Sequence, residues 1–359
     1  MRVENIEPAQ ISAIAGRLGA HEFKGWFYGD SIGFEGLLAA ANILNETKWM
    51  DFSNGFFRAW ATRMEPFQLD DNTAPGHIMC EIIERTNDEV LKSAVLKLAQ
   101  HLRRRRKVNN VSITFNDTLR SLMQPYGNVK LSADEQLQME DPGPGVYLDC
   151  MHFDAPFYAH LSRIDPDGGW AQLAVTEILG YKYLLLDTDT DLYKHFWLEK
   201  VDRAYCKGWG RGQGWALLGL LDVLYYVDEA DGLDLVREEA EALANVMLGY
   251  QLKNGNWHSL VHEPRSGSES STAAFMATAF YRGMTQGVLP EHEFLEPAER
   301  AFRVMKANLD EKGNLMGVSA AVHSALVEKH YWYVPTNYIV PWGQGPVLTA
   351  IAARKAFEF

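Results

Sequence analysis

The sequence is short of cysteine, with only Cys80, Cys150 and Cys206 and no Cys-x-x-Cys pair. An odd, sparse set closes no disulfide framework and lacks the spacing of a structural zinc site. No apolar run approaches the roughly 20 residues of a membrane span. The stretch Met1-Arg2-Val3-Glu4-Asn5 has no apolar core of a signal peptide, so the expected location is cytoplasmic. Basic residues are outnumbered, 34 Lys and Arg against 47 Asp and Glu, giving a net charge of −13. Such a chain repels phosphate backbones, so neither nucleic acid nor membrane is an expected partner. The one basic run, Arg103 to Lys107, closes an amphipathic helix and reads as a solvated face.

Familiar motifs are missing too. Gly210, Gly212 and Gly214 follow no strand, so the dinucleotide fingerprint does not apply. His258 and His262 are four apart, but Ser259 stands where a metalloprotease needs Glu. No G-x-S-x-G or P-loop is present. No metal or other cofactor is expected. Alternating apolar and polar runs are few, so strands should be minor.

What remains is helical periodicity. Leu91, Val95, Leu98 and Leu102 form one stripe, Val236, Ala240, Leu243 and Met247 another, and Ala298, Phe302, Met305 and Leu309 a third. Other segments, Trp215 to Val227 and Ala273 to Tyr281, are apolar almost all round and should be buried on all sides. The two kinds alternate. Buried helices are expected to start near Gly33, Pro75, Pro156, Gly212, Thr272 and Gly345. Amphipathic ones follow near Lys48, Asp88, Trp170, Leu233 and Pro297, and Pro8 to Leu18 can pair with the last buried segment. The expectation is all-α: an (α/α)6 barrel of six helical hairpins, with residues 1–359 as a single domain. Val108 to Gly145 reads as a long irregular insert.

In such a barrel all inner helices start at one end. Their starts are rich in Gly and Pro and carry carboxylates, Arg and Trp, which would gather in one cup suited to an anionic sugar. Taken singly, each motif is better explained as a capped helix start; their joint occurrence is what points to a site. Pro156 places a helix start near Asp154, which can cap it. Asp149 lies upstream among apolar neighbours without an evident cap partner, a setting that favours the protonated form a general acid needs. Asp70 and Asp71 precede Pro75-Gly76; either can cap that helix or face Asp149 as a second carboxylate. Arg211, between Trp209 and Trp215, can clamp a carboxylate while the indoles stack on sugar, or can sit in a buried ion pair. Trp26 is a further candidate for substrate contact.

Several segments together resemble a known family. These are Leu148-Asp149-x-Met151 with Pro156-Phe157-x-Ala159, Trp209-Gly210-Arg211-Gly212-x-Gly214-Trp215 with Leu221-Asp222-Val223-Leu224, and Ser270-x-Thr272-Ala273 with Arg282-Gly283 and Gly287-Val288-Leu289. They look like the unsaturated rhamnogalacturonyl and glucuronyl hydrolases, glycoside hydrolase families 105 and 88. Leu69-Asp70-Asp71 with Pro75-Gly76 is similar to the family's second acidic motif, and Leu192-Tyr193-x-His195 to its His segment. The resemblance implies the (α/α)6 barrel, no metal, and a small oligosaccharide partner ending in an unsaturated uronate. It implies hydration of the C4=C5 vinyl ether: Asp149 protonates C4, then takes a proton from the water that attacks C5, and the hemiketal falls apart. Asp71, the second catalytic carboxylate, would orient the substrate or keep Asp149 poised, Arg211 would hold the uronate, and His195 would join the binding site. The chain departs from the family in lacking a Trp-His-Lys segment before Asp149, in carrying Cys150 after it, and in reading Ser268-Glu269-Ser270. An inverting glycosidase with two carboxylates, or a non-catalytic sugar-binding barrel, fits the same pattern of residues.

Overall fold

A computed structural model describes residues 4–25, 27–64, 75–115 and 122–358. Six helices form a closed inner ring: α2 (Tyr28–Leu44), α4 (Gly76–Thr86), α7 (Cys150–Ile164), α9 (Gly210–Tyr226), α11 (Ser270–Thr285) and α13 (Pro341–Phe357). Each packs on the next, and α13 packs back on α2. Six more wrap the outside: α1 (Pro8–Gly19), α3 (Lys48–Ala61), α5 (Glu89–Arg103), α8 (Trp170–Leu185), α10 (Leu233–Gly249) and α12 (Glu291–Ala307). Each outer helix packs on an inner one, α1 on both α2 and α13. The fold is the (α/α)6 barrel.

Patterning accounts for the two layers. Every residue of α9 from Gly210 to Val223 is buried, whereas α5 buries only one stripe, with Leu91, Val95, Leu98 and Leu102 on it. A helix without a polar face is stable only when surrounded. Close approach inside the ring rests on glycine. A β-carbon on Gly219 of α9 would collide with the Met151 carbonyl of α7, and one on Gly345 of α13 with the Ile32 carbonyl of α2.

Four expected starts are displaced, the first being α2, which begins at Tyr28 rather than near Gly33. α7 begins at Cys150 and α13 at Pro341, so Pro156 and Pro346 lie inside helices, as does Pro297 in α12. Asp154 is therefore no cap; it is buried in the first half of α7. One lost backbone hydrogen bond is outweighed where the whole helix is packed. The insert is also more ordered than expected. It carries helix α6 (Ala133–Glu140), started by a reciprocal capping box between Ser132 and Glu135. A small hairpin joins β1 (Lys107–Val108) to β2 (Val111–Ser112). Among the described residues the main sheet has four short strands: β3 (Gly145–Tyr147), β4 (Leu186–Asp187), β5 (Leu192–Leu198) and β6 (Arg203–Lys207). β5 pairs antiparallel with the other three and sits at the end where the inner helices begin. No helix among the described residues is long and apolar enough to cross a membrane.

Candidate active site

The sheet fixes Asp149. Tyr147 of β3 pairs with Phe196 of β5, and the next amide, Leu148 N–H, donates to the His195 carbonyl at 2.8 Å. The chain then turns directly into α7, with Asp149 as its boundary residue. One backbone ladder thus holds Asp149 and His195 side by side. The His195 Nε2 lies 3.6 Å from Asp149 Oδ2, too far for a hydrogen bond. That Oδ2 is buried without a hydrogen-bond partner, while the side chain as a whole is 14% exposed.

Asp149 and His195 open on a cavity of about 150 Å³, whose walls include Tyr28, Tyr147, Trp209 and His323. Asp149 is the one carboxylate among its described lining residues. The His195 ring packs against Trp209 with centroids 4.5 Å apart, and its Nδ1 pairs with the Tyr331 hydroxyl. Burial pushes that hydroxyl well above its ordinary value, so it stays neutral. With Nδ1 so engaged, Nε2 is the nitrogen turned toward Asp149. His323 stands on a left-handed backbone with φ of 52°, unusual for a residue with a β-carbon. Burial, and secondarily His195, push its imidazole below the usual value.

The other expected site residues are scattered. Trp209 lines the cavity; Trp215 does not. Its indole is fully buried between Phe153 and Phe275, at centroid distances of 5.3 and 4.5 Å. Arg211 is 1% exposed, and its guanidinium is engaged on every side but one. Nη1 donates to Ser319 Oγ at 2.9 Å, Ser271 Oγ at 3.1 Å and Glu269 Oε1 at 3.3 Å; Nη2 donates to the Ala320 carbonyl at 3.3 Å. Only Nε lacks a partner. Glu269 in turn caps α11 and accepts from Ser319 N–H at 3.0 Å. The pair fastens the loop around Ser319 to the starts of α9 and α11, the buried ion pair that the sequence left open. Asp70, Asp71 and Trp26 lie outside the described residues. Sequence reasoning missed His323, Tyr331, Tyr147 and Tyr28. The left-handed backbone at His323 has no sequence signal, since neither Gly nor Asn marks it. Among the described residues no three His, Cys, Asp or Glu side chains gather to hold a metal ion.

The family model described as Glycosyl Hydrolase Family 88 matches residues 9–357. The chain belongs to that family. As a member of family 88 it is a glycoside hydrolase. It is 22% identical over 342 residues to the unsaturated rhamnogalacturonyl hydrolase YesR of Bacillus subtilis, covering 91% of this chain and 89% of that protein. A family 105 glycoside hydrolase from C. acetobutylicum shares the fold at a TM-score of 0.79, with 16% identity over 97% of this chain and 99% of the other. The unsaturated glucuronyl hydrolase of Bacillus sp. GL1 superposes at 0.71, with 16% identity over 96% and 94%. The family 88 barrel is thus common to relatives whose sequences have diverged widely.

Proposed function

We propose that the cup holds the terminal unsaturated uronate of a small oligosaccharide and that Asp149 hydrates its C4=C5 double bond. The observation that carries this reading is Asp149 Oδ2: buried, unpartnered, and belonging to the one carboxylate among the described residues of an aromatic-walled cavity. Asp149 delivers its proton to C4 and leaves an oxocarbenium-like centre at C5. The resulting carboxylate takes a proton from water as the oxygen adds to C5. The hemiketal then opens: its hydroxyl proton passes to the ring oxygen as the C5–O5 bond breaks and a ketone forms at C5. The hemiacetal left at C1 passes its own hydroxyl proton to the leaving oxygen as the glycosidic C1–O bond breaks, and a free sugar and a deoxy keto-acid separate. One group serves as acid and then as base because the steps are sequential. The names of the B. subtilis and Bacillus sp. GL1 relatives support this substrate class for the chain.

Trp209 offers an indole face to the sugar ring. His195 and His323 are the basic side chains among the described lining residues, and they meet the uronate carboxylate in place of Arg211. Asp71 keeps the role that the resemblance implies, orienting the substrate or keeping Asp149 poised. The test is the ultraviolet absorbance of the conjugated double bond, followed over a panel of unsaturated rhamnogalacturonyl and glucuronyl disaccharides. Wild-type protein should bleach at least one of them. Asp149→Asn should lower kcat by about 10³-fold, within the span of general acid–base catalysis, with thermal unfolding unchanged. An Asp149→Asn kcat within about tenfold of wild type rejects the assignment.

A further inference from the structure

All inner helices run in one sense, so their C-terminal ends meet at the pole opposite the cup. Between them lies a second, larger chamber of about 460 Å³. Every inner helix contributes to its wall, with Asn42, Glu81, Arg163, Tyr226, Arg282 and Ala352 one from each. The volume falls in the range of roughly 300–1,000 Å³ typical of small-molecule sites.

Three acceptors on this wall have no hydrogen-bond partner: Glu35 Oε2, Asp222 Oδ2 and Gln286 Oε1. Glu35 and Asp222 are only 5% and 4% exposed. Their second oxygens are occupied, Glu35 Oε1 by His152 Nε2 at 2.7 Å and Asp222 Oδ1 by Arg282 Nη1 at 3.0 Å. His152 Nδ1 stays 3.7 Å from Asp222 Oδ2, beyond hydrogen-bond reach. A buried acceptor left unmade costs about 1–3 kcal/mol, so three of them on the wall of one chamber call for donors from an occupant.

Charge narrows the occupant. Glu35, Glu81, Glu84 and Asp222 are answered by Arg85, Arg163, Arg282 and the His152 imidazole. An anion would meet three bare acceptors and the negative ends of six helix dipoles. A cation would be drawn by the four carboxylates and the helix C-termini, but it would have to sit among three guanidinium groups that already answer them. A neutral molecule with several hydroxyls meets neither obstacle. Tyr225 and Tyr226 supply aromatic surface for its C–H face. We propose that the chamber binds a neutral polyol of monosaccharide size, its hydroxyls donating to Glu35, Asp222 and Gln286. The site is separate from Asp149, and the proposal does not depend on the reaction assigned to the cup.

The test titrates L-rhamnose and D-glucose into the full chain, followed by ligand-observed NMR and calorimetry. At least one should saturate. Ala352→Trp fills the chamber from α13, and Gln286→Ala removes a rim acceptor without touching the buried pairs; each should weaken binding about tenfold, or 1.4 kcal/mol. Trp209→Ala, in the cup, should leave it unchanged. The proposal is overturned if neither sugar saturates, if ethanolamine saturates in their place, if binding survives both chamber variants, or if Trp209→Ala abolishes it.

Discussion

Arg211 commits four hydrogen bonds to Glu269, Ser271, Ser319 and the Ala320 carbonyl, and its carbon lies 5.0 Å from the Trp209 ring. Cutting it back strands Glu269 in the interior, because Ser and backbone donors alone do not balance a buried carboxylate. Arg211→Met should therefore cost about 3–5 kcal/mol of stability, read by denaturant unfolding. A residue that only held substrate would raise KM and leave the unfolding midpoint in place. Asp30 carries a different lesson. It accepts from the Lys24 and Gly25 amides at 2.7 Å each, while its second oxygen is buried with no partner. Burial pushes its pKa from 3.8 up to about 6, the two amides opposing. The native state thus holds a proton that the unfolded chain releases above about pH 4. Stability from Asp30 is present below that pH and is lost as pH rises through about 6, a change of at most about 3 kcal/mol. Asp30→Asn keeps an acceptor for both amides and should flatten the slope of melting temperature between about pH 4 and 6.

Elements were legible in proportion to how far they obey one rule. The stripes of α5 and α10 follow the helical period, and their starts at Glu89 and Leu233 fall within a residue of the expected positions. Proline misled where burial overrides it, at Pro156, Pro297 and Pro346. The Ser132–Glu135 capping box was there to be read, but eight residues of α6 bury nothing, so no periodic stripe announced it. The strand Leu192–Leu198 escaped for the opposite reason: nearly every residue in it is buried, and alternation vanishes. Glycine explains the close approach of α7 and α9. Gly219→Ala puts a methyl against the Met151 carbonyl, which belongs to backbone and cannot swing aside. The variant should lose about 1–3 kcal/mol by thermal or denaturant unfolding, while Gly55→Ala, with open space around it, should not lose stability.

The whole barrel could be counted from alternating helix types, yet the cup could be read only in part. Asp149, Trp209 and His195 lie in segments with recognisable motifs. His323 and Tyr331 come from an irregular stretch after α12 that reaches the cup only because the ring brings it there. Spatial convergence of that kind has no local signature. The ring also sets the order of events during synthesis. Its first inner member, α2, and its fifth, α11, both rest against the last one, α13. Until Pro341–Phe357 has left the ribosome the growing chain is a horseshoe with two bare apolar flanks. Such a nascent form is a natural client for chaperones, and a stop codon just before Pro341 would remove the keystone while sparing Asp149, His195 and His323.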